Sequence, residues 1–334
     1  MSRPFVVECE ITSGCNLRCI HCYNRSGESW ERLELPFLKD LMVQLKEMGL
    51  RYFDIVGGEP LVHPDIFEIL RFAYKIGLRV IFNTNATLIT KEKARMLKDA
   101  NPHMLIGVSL DGSTPEVNDR IRGEGSFERT LRGAENLMEV GFYVTLMFVV
   151  NKLNWRDFGN YIELARRIGI RSIYVDRFMP IGRGADNAEL LNMSPREWAE
   201  ALRYVNDVIE ANEGDFIFYV EESIDGDVCM AGITHFSILS NGKVVPCGHF
   251  RYREEFHLGD AREEPLSQIF RRGKSVFPRL EKCERCPAFG DLCFGGCKAS
   301  AMVFTGRVDL PDPVICSFVK SLEGYKEEGI TAPA

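Results

Sequence analysis

The sequence predicts an α/β protein in which six strand-helix units surround a parallel sheet and a second, cysteine-rich domain follows. Two observations carry this prediction. From residue 5 to about residue 177, short runs of β-branched and aromatic residues alternate with longer amphipathic stretches, as in strands wrapped by outer helices. After residue 215 this alternation gives way to short segments rich in glycine, cysteine and charged residues. We therefore predict two domains, at residues 1–215 and 216–334.

The six predicted strands are short apolar or aromatic runs at residues 5–12, 52–56, 79–84, 104–110, 142–150 and 172–178. Between them, apolar residues recur three and four apart, which predicts outer helices at 36–48, 64–76, 90–99, 126–140 and 155–168. Pro36 and Pro64 suit the first turn of a helix, and glycines stand just past four helix ends, at residues 49, 77, 141 and 169. A further helix at 195–212, a strand at 216–220 and a hairpin turn at 240–243 complete the prediction.

Composition limits the class of protein. At 334 residues with 45% hydrophobic side chains, the chain is long enough to bury a barrel-sized core and a smaller one. It contains no run of about 20 apolar residues and no signal peptide, so we expect a cytoplasmic protein with no membrane partner. The net charge of −7 is spread in mixed signs with no basic stripe, so nucleic acid is not an expected partner.

Cysteine is the unusual feature of the composition. There are 11 cysteines, and an odd number in a chain without an export signal argues against a disulfide framework. Metal binding or redox chemistry is the better explanation. The cysteines form two groups, with four near the start, at residues 9, 15, 19 and 22, and seven after residue 228.

Unusual residues follow four consecutive predicted strands. They are the triplet Cys15-x-x-x-Cys19-x-x-Cys22, then Gly57-Gly58-Glu59-Pro60, then Asn83-Thr84-Asn85, then Ser109-Leu110-Asp111-Gly112. Because chemistry in strand-helix folds sits where strands end, we expect these segments to meet on one rim. Three cysteines on a short loop can ligate three irons of a cubane cluster and leave the fourth iron open. The alternatives are a zinc site completed by His21 or a more distant residue, and a chance triplet.

The other rim residues suit the binding of a small polar molecule. Paired glycines let backbone groups approach a ligand closely, and Glu59 can accept a hydrogen bond from an ammonium group. Ser109 and Asp111 can contact ribose or carboxylate oxygens, and Arg122 can pair with a carboxylate. Each residue also has an ordinary explanation, because the glycines and Asp111 can belong to tight turns and Arg122 can be a solvated surface charge.

Together these segments resemble the radical SAM superfamily, named after S-adenosylmethionine (SAM). The superfamily motif CxxxCxΦC is matched by the cysteine triplet with His21 as the aromatic Φ, and residues 5 to 215 follow the family order. The resemblance implies a partial, six-stranded (β/α)6 barrel of TIM type. It also implies that the triplet holds a 4Fe-4S cluster, that the amino and carboxylate groups of SAM chelate its open iron, and that SAM is contacted at residues 21, 57, 58, 59, 60, 85, 109, 111 and 122.

The resemblance further implies the reaction. One electron, delivered by a ferredoxin or flavodoxin, breaks the sulfonium bond of SAM, and the resulting 5'-deoxyadenosyl radical removes a hydrogen atom from a substrate. The protein orients the reactants and excludes water.

The seven later cysteines resemble the SPASM extension of radical SAM enzymes. The resemblance implies two auxiliary 4Fe-4S clusters, three clusters in all, and two ligand sets with crossed ligation: Cys229, Cys247 and Cys297 for the first, and Cys283, Cys286, Cys293 and Cys316 for the second. Taken alone, the four cysteines from 283 to 297 would favour a zinc ribbon. The spacing between Cys286 and Cys293 is six residues where five is usual. No eighth cysteine precedes the first, so the first cluster has an open iron or a carboxylate ligand such as Glu222, Asp225 or Asp227.

We expect the substrate to be a peptide or protein side chain, which the enzyme modifies oxidatively. The segment 109–127 and the approach to Cys316 resemble the branch that contains the mycofactocin and pyrroloquinoline quinone maturases and the haem-synthase-like decarboxylases. A small molecule of cofactor, tetrapyrrole or amino-sugar biosynthesis is the alternative, and a zinc-binding protein without activity is a third. Gly248 replaces the aspartate base of sulfatase maturases, and His249 moves a proton or lies at the surface. Cys9 is expected in the core.

Overall fold

The computed structural model describes residues 3–221, 224 and 227–322. All six predicted strands form, each at or slightly inside its predicted bounds, and they are parallel: β1 Val6–Glu10, β2 Tyr52–Val56, β3 Val80–Thr84, β4 Leu105–Ser109, β5 Val144–Val150 and β6 Ser172–Arg177. They pair in chain order, so their carboxyl ends lie along one rim. The partial barrel expected from the resemblance is confirmed.

Four later strands extend this sheet at both of its edges. β7, Ile217–Val220, pairs parallel with β6, and β8, His235–Ile238, pairs parallel with β1. β9, Lys243–Val245, and β10, Gly259–Asp260, continue antiparallel beyond β8. The β8–β9 pair confirms the hairpin at 240–243. Over the described residues the strand order runs β10-β9-β8-β1-β2-β3-β4-β5-β6-β7, an open sheet, so the predicted domain boundary at 215 lies within a continuous hydrogen-bonded sheet.

Helices cover the outside of the sheet. Those of the barrel are α1 Leu35–Glu47, α2 Ile66–Lys75, α3 Lys91–Ala100, α4 Pro115–Arg122, α5 Ser126–Glu139, α6 Phe158–Ile168, α7 Arg183–Asp186, α8 Ala188–Leu191 and α9 Pro195–Glu210. Those of the C-terminal part are α10 Leu266–Gly273, α11 Glu281–Glu284, α12 Lys298–Thr305 and α13 Pro313–Lys320. Short 3-10 turns occupy Pro60–Val62, Trp155–Asp157, Gly248–Phe250 and Glu254–Phe256. None of the described helices has the length and apolar character needed to cross a membrane.

The local signals of helix ends were mostly correct. Pro36 lies in the first turn of α1, and the four glycines at residues 49, 77, 141 and 169 have left-handed φ angles. The prediction for Pro64 was wrong, because α2 begins at Ile66 with Asp65 as its N-cap. The sequence patterns also missed α4, which is short and carries arginines in its last turn.

The two faces of β1 differ in chemistry. On β1, the side chains of Val7 and Cys9 are 0% exposed in the hydrophobic core, which confirms the prediction for Cys9. Glu8 and Glu10 alternate with them and therefore point to the inner face of the sheet. On β1, apolar residues thus pack in the core beneath the helices, and polar residues line the inside of the sheet.

Candidate functional site

The loop that carries the three early cysteines is held against the end of β2. The Gly58 N–H donates to the Thr12 carbonyl (2.7 Å), and the Glu59 N–H donates to the Gly14 carbonyl (2.8 Å). A Cβ atom on Gly58 would lie 1.9 Å from the Gly14 carbonyl oxygen, so no larger residue fits there without movement of the loop. Gly58 therefore allows the backbone after β2 to approach the backbone of Gly14, the residue before Cys15.

Glu59 connects the ends of β2 and β3. Its side chain is 0% exposed. Oε1 accepts from the Thr84 hydroxyl (2.8 Å) and the Leu61 N–H (3.1 Å), and Oε2 accepts from the Asn85 N–H (2.8 Å). Burial raises the pKa of this carboxyl, an effect that these donors partly oppose. A carboxylate has about four acceptor positions, so a contact with an ammonium group, as the sequence predicted, would use the remaining one.

Asn85 extends this contact to the cysteine loop. Its Nδ2 donates to Asn16 Oδ1 (3.0 Å) and lies 4.0 Å from Cys15 Sγ. Its Oδ1 accepts from the Thr87 N–H (2.9 Å). The ends of β1, β2 and β3 thus meet as the sequence predicted.

Asp111 joins two other predicted site residues in a buried network. Its Oδ2 lies 2.6 Å from Arg122 Nε and 3.3 Å from His21 Nε2, and its own side chain is 0% exposed. Its Oδ1 accepts from the Val149 N–H (2.9 Å). Asp111 is therefore not an ordinary turn residue, and Arg122 is not a solvated surface charge. Ser109 ends β4 beside them and is half-buried.

His21 is electrically neutral in this network. Burial lowers its pKa to about 4, although Asp111 partly opposes the shift, so at neutral pH the ring is uncharged and only one of its two nitrogens carries a proton. Nε2 faces Asp111, and Nδ1 is buried with no hydrogen-bond partner among the described residues. A buried polar atom without a partner costs free energy, which fits a site that receives a polar ligand such as a nucleoside.

The three cysteines of the loop are buried or half-buried thiols. Burial raises the pKa of Cys15 to about 11 and of Cys19 to about 12. In the described part of the chain, no three His, Cys, Asp or Glu side chains converge tightly enough to hold one metal ion. A cubane binds each cysteine through a different iron, so its ligands do not need to converge on one atom. The donor set of three thiols therefore fits an iron–sulfur cluster.

The later cysteines act on one another in two groups. After burial, the thiols that raise the pKa of Cys316 are those of Cys283, Cys293 and Cys286. Those that raise the pKa of Cys247 are Cys297 and Cys229. Since such electrostatic effects fall with distance, each group is a set of neighbours. Of the proposed carboxylate ligands, Glu222 and Asp225 lie outside the described residues, and Asp227 is exposed.

Sequence reasoning missed two residues, Glu8 and Tyr23, that contact the segment after Cys247. A Cβ atom on Gly248 would lie 3.3 Å from both Glu8 Oε2 and the Tyr23 ring. The Tyr23 ring also packs edge-on against the ring of His249, at a centroid distance of 5.3 Å. The signal for Glu8 was present in the sequence, because a charged residue within an apolar strand faces a polar interior.

His249 lines a cavity of about 270 Å³ between the loop after β6 and the C-terminal part. Its Nδ1 lies 3.6 Å from Cys247 Sγ. The cavity walls include the apolar and aromatic side chains of Ile181, Phe250, Tyr252 and Met302, together with the polar side chains of His249 and Arg253. The cavity therefore offers a binding surface of mixed polarity next to a cysteine of the first late group.

Comparison with known proteins gives matches for both parts of the chain. A profile of the radical SAM superfamily matches residues 9–165, and a profile of an iron–sulfur cluster-binding domain, SPASM, matches residues 229–287. The chain is 32% identical to an AdoMet-dependent heme synthase of Methanosarcina barkeri, over 91% of this chain and 93% of the relative. It is 33% identical to the mycofactocin maturase MftC of Mycolicibacterium smegmatis, over 94% of this chain and 83% of the relative. The crystal structure of Streptococcus suis SuiB bound to S-adenosylmethionine superposes with a TM-score of 0.75 at 20% identity, over 94% of this chain and 77% of SuiB.

Proposed function

The chain belongs to the radical SAM superfamily and carries a SPASM domain, and on that premise we propose that it modifies a side chain of a peptide or protein by an oxidative radical reaction. It is an enzyme whose cofactors are SAM and iron–sulfur clusters. A bound cluster supplies the electron that cleaves SAM into methionine and a 5'-deoxyadenosyl radical. The chain's own residues bind and orient the reactants and exclude water from them.

The observation that carries the proposal is the contact of the cysteine loop with three other strand ends. Cys15, Cys19 and Cys22 would hold the cluster. Glu59 would take the amino group of SAM with its remaining acceptor position, while its other bonds keep the ends of β2 and β3 together. The unpartnered Nδ1 of His21 supports a polar contact with the nucleoside part of SAM.

The grouping of the later cysteines supports two auxiliary clusters, and three clusters in all. Cys229, Cys247 and Cys297 would hold the first, and Cys283, Cys286, Cys293 and Cys316 the second. These clusters would accept the electron that the substrate radical gives up. A ferredoxin or flavodoxin would supply the electron for SAM cleavage.

Peptide modification is supported by a mycofactocin maturase among the relatives, which is 33% identical over 94% of this chain. The cavity of about 270 Å³ beside His249 is at the lower edge of the range of small-molecule sites, about 300–1,000 Å³, and is a candidate place for the modified group. The second candidate is a tetrapyrrole substrate, which the similarity to a heme synthase favours.

The first experiment tests SAM cleavage. Protein purified without oxygen, reduced with dithionite and given SAM is expected to form 5'-deoxyadenosine, and Cys19→Ala is expected to form none. Cys9→Ala is the matched control, because Cys9 lies in the core on the preceding strand and should leave the cluster in place. Formation of 5'-deoxyadenosine by Cys19→Ala would refute the assignment of the triplet.

The second experiment separates the two substrate classes. The enzyme is incubated with SAM and either short peptides encoded near its gene or an iron porphyrin with propionate groups, and the products are analysed by mass spectrometry. A mass change in a peptide, together with deuterium transfer to 5'-deoxyadenosine when that peptide is deuterium-labelled, supports the maturase function. Decarboxylation of the porphyrin with no change in any peptide would contradict it.

A further inference from the structure

Arg177 and Asp312 form an ion pair that joins the barrel to the segment of the last cysteines. Arg177 ends β6, and Asp312 precedes α13, 135 residues later in the chain. Arg177 Nη2 lies 2.8 Å from Asp312 Oδ2, and both side chains are 0% exposed. Desolvation of two charges offsets most of their attraction, so a buried ion pair is weak evidence for a role in stability. The residues around the pair indicate a different role.

Asp312 is built into the framework of the second late cysteine group. Its N–H donates to the carbonyl of Gly295 (3.3 Å), in the loop between two of the cysteines, and its carbonyl accepts from the Cys316 N–H (2.9 Å). Its Oδ1 accepts from the Ser300 hydroxyl (2.7 Å) and the Val314 N–H (2.9 Å). The carboxylate therefore has a fixed position relative to these cysteines.

The charge of Asp312 lies close to the chain segments that carry these cysteines. Asp312 is four residues before Cys316, and a Cβ atom on Gly296, the residue before Cys297, would lie 2.8 Å from Asp312 Cβ. Arg177 brings a positive charge to the same place from the wall of the barrel. The reduction potential of an iron–sulfur cluster depends on the charges and hydrogen bonds around it.

We infer that Arg177 is a positioning residue that neutralises Asp312 beside the second auxiliary cluster and so sets how easily that cluster accepts an electron. The inference rests on the proposed function, because it assumes that Cys283, Cys286, Cys293 and Cys316 hold a cluster. Without the guanidinium, a buried negative charge would oppose reduction of the cluster. Without the carboxylate, the buried positive charge of Arg177 would favour reduction.

The test is a potentiometric titration of the oxygen-free holoenzyme followed by electron paramagnetic resonance, with no substrate. At a fixed potential, Arg177→Met is expected to lower the reduced-to-oxidised ratio of the second auxiliary cluster, on the order of tenfold, and Asp312→Asn is expected to raise it. Arg177→Lys keeps the charge and should change the ratio least. The N-terminal cluster, identified by its response to added SAM, serves as the internal control and should not shift in any variant.

Opposite shifts in Arg177→Met and Asp312→Asn support the inference, because loss of packing alone would not change sign with the charge removed. No shift, or shifts of the same sign, would overturn it. If Arg177→Met fails to fold, the comparison of Asp312→Asn with Arg177→Lys decides between these outcomes. The absence of any signal that responds to SAM would instead refute the proposed function, so the two failures are distinct.

Discussion

The cysteine loop after β1 and the cysteine-rich segment from residue 281 to residue 316 reach their positions by different means. The loop is fixed by backbone hydrogen bonds to the end of β2 and by the buried networks of Glu59 and Asp111. In the later segment, the helices Glu281–Glu284 and Lys298–Thr305 span four and eight residues, and most backbone hydrogen bonds join residues close in the sequence.

This difference indicates which of the two sites is ordered before a cluster binds. Helices shorter than about 12 residues are marginal without tertiary packing, so the later segment depends on its contacts with the rest of the chain, such as the ion pair Arg177–Asp312 and the buried side chains of Val314 and Ile315. Metal binding commonly supplies the folding free energy that such a segment lacks. We therefore expect the first site to be preorganised and the second to be completed by its cluster.

The largest expected effect separates the chemical roles of the two regions. Cys19→Ala should abolish 5'-deoxyadenosine formation, whereas Cys286→Ala should retain it and lose substrate modification, because the proposed function assigns SAM binding to the first region alone. Both rates are measured by chromatography of the quenched reaction. Equal loss of SAM cleavage in the two variants would mean that the regions do not act separately.

Removal of iron should affect the two regions unequally. In protein treated with a chelator, we expect limited proteolysis to cut within residues 281–316 on the order of tenfold faster, while the barrel strands stay protected. Mass spectrometry of the fragments locates the cuts. Cleavage after β1 at the same rate would show that the first site also needs its cluster in order to fold.

The buried network of the first region should carry a large share of stability. Asp111→Ala leaves the charge of Arg122 buried without its partner and should lower the free energy of unfolding by about 3–5 kcal/mol. The control is Asp186→Ala, which removes an exposed ion pair with Arg25 and should cost less than about 1 kcal/mol. Urea denaturation of both variants measures the difference, and similar costs would contradict the preorganised first site.

The contact between β1 and β8 should depend on pH through Glu8. Burial by itself would raise the pKa of Glu8, but His235, Ser237 and His249 outweigh it and lower the pKa from 4.5 to about 2. The folded pKa is below the unfolded one, so this stabilisation is present above pH 4.5 and is lost as the pH falls towards 2.

Glu8→Gln removes this contribution. The difference in unfolding free energy between the wild type and Glu8→Gln should therefore shrink by roughly 2 kcal/mol from about pH 6 to about pH 3. Denaturant titrations at the two pH values measure it. A difference that does not change with pH would exclude the carboxylate as its source.

The smallest expected effect compares Gly58, which packs against the cysteine loop of the first region, with Gly248, which lies outside both regions, next to Cys247. Gly58→Ala places a Cβ atom 1.9 Å from the Gly14 carbonyl oxygen and should cost about 1–3 kcal/mol of stability. Gly248→Ala meets its nearest atoms at 3.3 Å and should cost less than about 1 kcal/mol, because side chains can move by a few tenths of an ångström. Thermal unfolding monitored by circular dichroism ranks the two variants.

The sequence alone determined the strands, most helix ends and the residues of the rim, because these follow from periodicity and spacing within short windows. The order of the segments along the chain also placed Cys15, Glu59, Asn85 and Asp111 at the ends of neighbouring strands, as the structure has them. The helix at Pro115–Arg122 escaped prediction, since eight residues with low apolar content give no clear periodic signal.

The pairing of the polar groups, in contrast, depends on the tertiary structure. Glu59 meets Asn85 across 26 residues of chain, and Arg177 meets Asp312 across 135 residues. Likewise, β8 joins the edge of the sheet beside β1, although more than half of the chain separates them. A buried charge takes whichever partner the fold brings within hydrogen-bond distance, and no local pattern of residues encodes that choice.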